Sequence, residues 1–577
     1  MSRITKKTMA AVLALAVTAG TMTFMFYDRY EKSNELSVYA QTYESGYLSY
    51  CINEDNTITV TGCDAETENA VIPDEINGMP VISIKAKAFN SCTILKSLEI
   101  GSNVTEIGSY AFSHCISLTR ITIPDSVKKI GYQSFLGCTA LTSADLGDGL
   151  AEIGTEAFSG CSKLYDLIFG GGLKTIGNSS FYGCESLEEV SIPGTVKTIG
   201  EKAFESCIGL KNTRTGNSLS SISCSAFNDC KSLMTVEIGS NVTKIESSAF
   251  LNCTSLTSIT IPDSVIRIGS GSFQGCEALT AVQLGEGLTD IGTEAFSGCS
   301  KLEDLKFAGG LKSIGNSAFY GCESLEEINI PDSVEIIGQS AFGCCRGLKK
   351  ADTGKSVTTI GPGAFENCKS LTTAEIGPDV TEIASYAFRN CTSLAKISVP
   401  DSVTEIGFET FCGCSSLSEA YMNKDLYSIG SDAFSSCPVL TMYVFDKTYP
   451  QEYAQRNMIK YVVTDGDPSI TTPVSTTTTE PPATTPVSVS GTEPRATTVP
   501  LSQTTSEVSV TTVYEEKKQY DITGDGILDI SDILMLKKYL FLSEILDENA
   551  LKASDTNSDG QINVFDLIRI KQSMDQK

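Results

Sequence analysis

The chain has 577 residues, 41% of them hydrophobic, and a formal net charge of −27 at pH 7. This length allows several modules and a large core, while the acidic surface argues against nucleic acid or an anionic membrane as partner. The single histidine and the absence of tryptophan count against histidine-dependent catalysis and against binding of crystalline cellulose.

Residues 1–40 have the pattern of a secretion signal peptide. Three basic residues in the first seven positions precede an apolar stretch over residues 9–27, and Val38-Tyr39-Ala40 offers a small-residue cleavage site. The alternative is a retained membrane anchor. No other stretch is long and apolar enough to span a bilayer, so the mature chain is expected to be exported and soluble.

Two segments are predicted to cap the central part of the chain. Residues 41–84 alternate like strands around a turn at Asn53-Glu54-Asp55-Asn56. Residues 441–466 contain a last strand at Tyr443-Val444-Phe445 and a short helix that starts near Pro450. Solenoids need such caps because their end faces are otherwise apolar.

Residues 85–440 consist of one repeated unit. A phenylalanine recurs sixteen times with a constant period of 23, without insertion or deletion. A fixed period of this length predicts a solenoid in which each unit stacks on the next. The phenylalanines are Phe89, Phe112, Phe135, Phe158, Phe181, Phe204, Phe227, Phe250, Phe273, Phe296, Phe319, Phe342, Phe365, Phe388, Phe411 and Phe434.

Each unit predicts a short parallel strand followed by a short helical turn. In the second unit, Ile121 and Ile123 alternate as inward strand residues, and Pro124 ends the strand because it has no amide to donate. Gly131 is expected to permit a tight bend. The Ser-Phe step at Phe135 is expected to begin a helical or 3₁₀ turn on the opposite side.

These units resemble the BspA-like leucine-rich repeats of bacterial surface proteins. The matching pattern is I-G-x-x-A-F-x-x-C-x-x-L-x-x-I-x-I-P-x-S-V, from about Ile84 to Leu440. The resemblance implies a leucine-rich repeat solenoid, but the family serves in adhesion, partner binding and as scaffold. Above this period, residues 152–207 nearly repeat as 290–345, which indicates duplication of a six-unit block.

Sixteen of the 21 cysteines occupy one repeat position, from Cys92 to Cys437. We expect a buried column of free thiols, because a small side chain that tolerates apolar surroundings suits an inward position. The alternatives are disulfides between units and a zinc site. The zinc site is the weaker alternative, because the column has no histidine partner and no C-x-x-C pair. Cys51 and Cys63, outside the column, are candidates for a disulfide in the N-terminal cap.

Residues 467–518 form a linker rich in threonine and proline, which cannot bury a core and is expected to be extended. Two calcium loops follow, each with oxygen ligands at positions 1, 3, 5, 7, 9 and 12 and a glycine at position 6. We therefore predict two Ca²⁺ ions. The predicted ligands are Asp521, Thr523, Asp525, the backbone of Ile527, Asp529 and Asp532, then Asp555, Asn557, Asp559, the backbone of Gln561, Asn563 and Asp566.

An apolar-periodic helix pattern follows each loop but none precedes it, so these are half EF-hands. Residues 519–577 resemble a dockerin, the small α-helical module that attaches cellulosome components to cohesin modules of a scaffold protein. The resemblance implies cohesin contacts at positions 10 and 11 of each loop and on the helix that follows. The corresponding residues here are Ile530, Ser531, Lys537, Lys538, Val564, Phe565 and Lys571.

The sequence contains no convincing catalytic constellation. The one histidine, His114, lies at a variable repeat position, and the carboxylates recur with the repeat as a solvated face does. We therefore predict a secreted, non-catalytic binding subunit of a cellulosome-like complex, whose array engages a protein or cell-surface partner. The alternative is a polysaccharide-degrading or carbohydrate-binding subunit, since most chains with a dockerin are polysaccharide hydrolases.

Overall fold

The computed structural model describes residues 42–464, and the repeat solenoid predicted from the sequence is confirmed. Elements are numbered in chain order. The N-terminal segment forms a hairpin of β1 and β2, and β2 pairs with β3, which leads into the parallel array through β6. Its strands are β1 (Tyr43–Ser45), β2 (Leu48–Ile52), β3 (Ile58–Cys63), β4 (Asn69–Ile72), β5 (Glu75–Ile76) and β6 (Met79–Ile84).

Each repeat unit contributes one strand of three or four residues, and these strands form what we call the long-strand face. Each pairs in parallel with the equivalent strand of a neighbouring unit, as Ser143 does with Arg120 and Asp166. The strands are β7 (Ser97–Ile100), β9 (Arg120–Ile123), β11 (Ser143–Leu146), β13 (Asp166–Phe169), β15 (Glu189–Ser191), β17 (Asn212–Arg214), β19 (Thr235–Glu237), β21 (Ser258–Thr260), β23 (Ala281–Gln283), β25 (Asp304–Lys306), β27 (Glu327–Asn329), β29 (Lys350–Asp352), β31 (Thr373–Glu375), β33 (Lys396–Ser398), β35 (Glu419–Tyr421) and β37 (Thr441–Val444).

A second strand of two residues per unit forms the short-strand face, where one residue of each pair, such as Ile130, is buried. Five of these strands join the N-terminal strands in one sheet of ten, and the other ten form a second sheet. They are β8 (Glu106–Ile107), β10 (Lys129–Ile130), β12 (Glu152–Ile153), β14 (Thr175–Ile176), β16 (Thr198–Ile199), β18 (Ser221–Ile222), β20 (Lys244–Ile245), β22 (Arg267–Ile268), β24 (Asp290–Ile291), β26 (Ser313–Ile314), β28 (Ile336–Ile337), β30 (Thr359–Ile360), β32 (Glu382–Ile383), β34 (Glu405–Ile406) and β36 (Ser428–Ile429).

The third side of each unit, which carries the phenylalanine, consists of consecutive turns rather than the predicted helical turn. Local bonds such as Ala111 N–H to Gly108 O alternate with bonds to the next unit, such as Phe112 N–H to Ser134 O at 2.7 Å. Tyr110 and His114, which flank Phe112 at two positions before and after it, have φ values of 58° and 59°. This left-handed backbone cannot continue a right-handed helix, so half of the amides bond along the solenoid axis instead.

The core is a set of aligned side-chain columns. Neighbouring phenylalanine rings stack along the axis, with centroids 4.9 Å apart for Phe89 and Phe112 and 5.4 Å apart for Phe227 and Phe250. The predicted inward positions Ile121 and Ile123 are buried. Because every unit places the same residue at the same depth, burial is continuous from unit to unit.

Gly131 has a different role from the predicted bend. A Cβ atom at this position would lie 2.6 Å from the carbonyl carbon of Gly108 in the preceding unit. The equivalent Gly154 and Gly177 meet the preceding backbone at 2.7 Å in the same way. Glycine is therefore required here because neighbouring turns approach closely, not because the backbone bends.

Beyond the last unit lie α1 (Tyr449–Arg456) and β38 (Lys460–Val463). Within residues 42–464, α1 is the only α-helix. Pro450 lies in its first turn, where a missing amide costs no hydrogen bond. Tyr453 and Ala454 of this helix are buried, and the Tyr453 ring lies 6.3 Å from Phe434, the last phenylalanine of the column. The helix thus covers the end of the aromatic column.

Candidate partner-binding surface

The outward positions of the long-strand face are polar at most units, and Ile168 and Tyr421 are the two exceptions. Ile168 is 53% exposed, whereas Tyr421 is only 3% exposed. Tyr421 stacks on Tyr443 at 4.4 Å, and Lys396 Nζ lies 4.4 Å from its ring centre. Its hydroxyl donates to Glu419 at 2.9 Å. Tyr421 is therefore part of the packed C-terminal end, and Ile168 is the exposed apolar position.

The long-strand face is divided into short sheets, and each division precedes a unit that contains proline. These sheets have three or four strands each, in contrast to the long sheets of the short-strand face. They consist of β9, β11 and β13; β15, β17 and β19; β21, β23 and β25; β27, β29 and β31; and β33, β35, β37 and β38. The prolines recur at the same repeat position in every third unit. They are Pro124, Pro193, Pro262, Pro331 and Pro400.

Proline follows the first strand of each of these short sheets, where it has no amide to donate to the preceding unit. Within the first sheet, Gly147 N–H donates to Ile123 O at 3.1 Å, and Gly147 occupies the position that proline holds in every third unit. Proline cannot make this bond to the preceding unit. Inward residues of the strands before a break, such as Leu167, Val236 and Leu305, are only partly buried. The face thus has a shallow discontinuity at regular intervals.

A groove of about 760 Å³ crosses one of these breaks, between β19 and β21. On one side of the break, Arg214 of β17 and Glu237 of β19 form an ion pair in the groove lining, with 3.1 Å between Nη2 and Oε1. Beneath this pair, Thr213 and Thr215 replace the aliphatic inward residues, and Thr215 Oγ1 accepts from Gly239 N–H at 2.8 Å. The groove is lined by Glu189, Val190, Ser191, Asn212, Thr213, Arg214, Thr235, Val236, Glu237, Ile238, Ser240, Ser258, Thr260 and Pro262.

The groove has a polar lining. It offers hydroxyl and amide groups, and its guanidinium is already paired with a carboxylate. No aromatic ring lines it. His114 lies elsewhere, exposed at the surface, with its Nδ1 2.8 Å from Oγ of the adjacent Ser113. Among residues 42–464, no three histidine, cysteine or acidic side chains are placed to hold a metal ion.

The cysteine column is free and mostly buried, as predicted. From Cys115 onward, each thiol of the column donates to a backbone carbonyl of the preceding unit, as Cys115 does to Phe89 O at 3.2 Å. Burial raises the pKa of Cys207 to about 12, so this thiol is protonated at neutral pH. The proposed disulfide between Cys51 and Cys63 is wrong: both are free, because the β2–β3 register places Cys51 opposite Thr59 and Cys63 opposite Leu48.

Native protein is expected to react with a thiol reagent at few of its cysteines, since the thiolate is the reactive form. Partly exposed thiols such as Cys51, Cys344 and Cys412 should be labelled first, and the column only slowly. After denaturation without reductant, all 21 cysteines should react. Mass spectrometry of the labelled peptides measures both states. Cysteines that remain unlabelled after denaturation would contradict a column of free thiols.

Several predictions from the sequence concern residues outside the described range of 42–464. They are the signal peptide at 1–40, the linker at 467–518, the calcium ligands from Asp521 to Asp566, and the cohesin-contact residues from Ile530 to Lys571. Within the described range, no helix has the length and hydrophobicity needed to cross a membrane.

Comparisons with known proteins identify two kinds of module. The family model described as a BspA type leucine rich repeat region, with six copies, matches residues 65–185, 174–303, 243–372 and 337–454. The model of the dockerin type I domain matches residues 519–575. A search of curated proteins found no match.

Solved structures of bacterial leucine-rich repeat proteins are similar to the array. A leucine-rich repeat protein from Bacteroides ovatus is 29% identical, with a TM-score of 0.52, over 73% of this chain and 100% of that one. A leucine rich cell surface protein from Faecalibacterium prausnitzii is 27% identical, with a TM-score of 0.33, over 72% of this chain and 97% of that one.

Proposed function

The chain belongs to the BspA-type leucine-rich repeat family and carries a dockerin type I domain, and from this premise we propose that it is a secreted, non-catalytic binding subunit of a cellulosome-like complex. The dockerin supplies attachment to a cohesin module. The repeat array binds a protein or cell-surface partner. A signal peptide over residues 1–40 directs export, and the linker over 467–518 separates the two functions.

The donor set of the C-terminal module fits calcium. Each loop offers three or more carboxylates with further oxygen donors at fixed spacing, and hard oxygen ligands of this kind are those that Ca²⁺ prefers. We assign one ion to the loop of Asp521, Thr523, Asp525, Ile527, Asp529 and Asp532, and one to the loop of Asp555, Asn557, Asp559, Gln561, Asn563 and Asp566. Thr523 takes the place of the usual Asn or Asp, so the first loop is the weaker site.

Cohesin contact is assigned to seven residues by similarity to other dockerins. The pair at positions 10 and 11 differs between the two loops, which argues against interchangeable docking in two orientations. The assigned residues are Ile530, Ser531, Lys537, Lys538, Val564, Phe565 and Lys571.

One observation carries the binding role of the array: sixteen units in register, without an inserted loop, present a long polar strand face. Repeat solenoids use such extended surfaces to bind partners. A glycoside hydrolase needs two carboxylates flanking the scissile bond. In the groove, Glu237 is neutralised by Arg214, and the aromatic rings on which sugars usually stack are missing from its lining. The polysaccharide-degrading alternative therefore finds less support.

The test uses the full chain captured on immobilised cohesin with calcium. Culture fluid is passed over it, and a retained protein is expected to be displaced by excess free chain comprising residues 41–466. Incubation with cellulose, xylan and pectin is expected to release no reducing sugar. Release of sugar in proportion to the amount of chain would favour the enzymatic alternative, and absence of any retained partner would count against the binding role.

A further inference from the structure

The duplicated block provides an internal comparison between two copies of the same scaffold. Strand β13 in the first copy corresponds to β25 in the second, six units later. The inward residues are the same, and Phe169 and Phe307 each stand edge-on to the phenylalanine column at 5.7 Å, against Phe181 and Phe319. The two copies therefore support their outward side chains on the same local structure.

Two exposed side chains differ in chemistry between the copies, one just before each strand and one within it. The first copy exposes Tyr165 (59% exposed) and Ile168 (53% exposed). The equivalent residues of the second copy are Glu303 and Lys306, which are also exposed. Since the same scaffold accepts a charged pair, the fold does not require apolar side chains here. Exposed apolar groups of this size gain free energy when a partner covers them.

Carboxylates lie on the same strand as Ile168 and on the strands of the preceding and following units. Asp145 lies directly beside Ile168 in the strand register, Asp166 shares its outward side of β13, and Glu189 begins the next strand. Within residues 42–464, none of these three carboxylates forms an ion pair; Asp166 accepts a hydrogen bond from Ser143 at 2.9 Å. In the second copy Gln283 replaces Asp145 beside Lys306. The other two positions stay acidic in the second copy, as Asp304 and Glu327, so Asp145 is the carboxylate that occurs only beside the apolar pair.

We infer that Tyr165 and Ile168 anchor a basic polypeptide segment, whose apolar side chains cover this pair and whose lysine or arginine side chains face Asp145, Asp166 and Glu189. The inference rests on the proposed binding role of the array and names its site and class of partner. Aromatic and aliphatic anchors within a charged rim are the usual centre of protein interfaces. A second copy of this chain is a poor occupant, because two chains of net charge −27 repel each other.

The chain offers a matched variant for the test. Tyr165→Glu with Ile168→Lys copies the residues of the second block and leaves the net charge unchanged, so non-specific attraction of basic peptides is preserved. The probe is a short fluorescent peptide of alternating lysine and leucine, and its affinity for the full chain is measured by anisotropy at physiological ionic strength. We expect the double variant to bind roughly tenfold more weakly or worse.

Two further arms examine charge and position. Asp145→Asn with Glu189→Gln should weaken binding and reduce its dependence on salt, and a peptide with glutamate in place of lysine should not bind. Glu303→Tyr with Lys306→Ile, together with Gln283→Asp, should create a second binding site. Thiol protection in each variant verifies that the array is folded.

Equal binding of the lysine–leucine peptide to the wild type and the double variant would overturn the inference. So would binding of oligosaccharides, and not of the peptide, in a manner that depends on Tyr165. If the double variant still retains the culture-fluid partner, this site is wrong but the proposed function stands. If the wild type retains no partner, the proposed function itself fails.

Discussion

Removal of calcium is expected to release the full chain completely from immobilised cohesin, the largest effect that we predict. Each of the two calcium loops that we propose contains several aspartates, and clustered carboxylates repel one another until a cation neutralises them. In small metal-binding modules the free energy of metal binding contributes directly to folding. Surface plasmon resonance with and without chelator measures the effect, and calorimetry should give two Ca²⁺ per chain.

Substitutions in the two loops are expected to affect capture by cohesin without affecting the repeat array. Asp525→Ala with Asp559→Ala should abolish capture, whereas Asp525→Ala alone should reduce it less, because Thr523 already weakens the first loop. The thiol column should remain protected in all these variants, since the repeat array does not contain the substituted residues. Capture that survives chelation, or calorimetry without calcium uptake, would refute the dockerin assignment and the cellulosomal attachment that depends on it.

Phe250→Ala is expected to destabilise the centre of the array by about 3–5 kcal/mol. Phe250 is fully buried, and its ring stacks between Phe227 at 5.4 Å and Phe273 at 5.3 Å. The substitution therefore leaves a cavity and removes two ring contacts, each worth about 0.5–1.5 kcal/mol beyond burial. Because each unit contacts only its neighbours, hydrogen exchange should accelerate most in the units next to Phe250.

A control in the same unit isolates the effect of the column. Thr257→Ala replaces an exposed side chain and should change the free energy of unfolding by less than about 0.5 kcal/mol. The loss of stability caused by Phe250→Leu should lie between those of Thr257→Ala and Phe250→Ala, because leucine keeps most of the buried volume but loses the ring stacking. A loss below about 1 kcal/mol for Phe250→Ala would mean that the ring contributes little to the core.

The sequence alone was sufficient to predict the solenoid and its phenylalanine and cysteine columns, because a constant repeat period places like side chains at like depth. The predicted helical turn beside each phenylalanine was the main error. Residues two positions after the phenylalanine, such as Gly137 and Asn252, include many types that favour left-handed backbone, and this pattern could have been noticed. Residues two positions before, such as Tyr110 and Lys202, give no such indication.

The candidate surface was only partly predictable. The prolines in every third unit stand in the sequence, and their spacing coincides with the divisions of the sheet. The burial of Tyr421 could not be predicted from the sequence, because it depends on stacking with Tyr443 and on the position of Lys396. Likewise, the sequence placed Ile168 at an outward position, but its pairing with Asp145 became apparent only from the register.

The prolines also bear on how a gene for such an array lengthens or shortens. A stretch of coding sequence that begins at one proline unit and ends before the next encodes three units. On the long-strand face, the strands of these three units pair only with one another. Unequal crossing-over between two such stretches joins equivalent breaks, so no strand acquires an unsuitable neighbour. Loss of a single unit from within such a stretch would instead leave one short sheet with two strands in place of three. Array length is therefore expected to change most readily in steps of three units. The near-identity of segments 152–207 and 290–345 agrees with a past duplication of two such stretches.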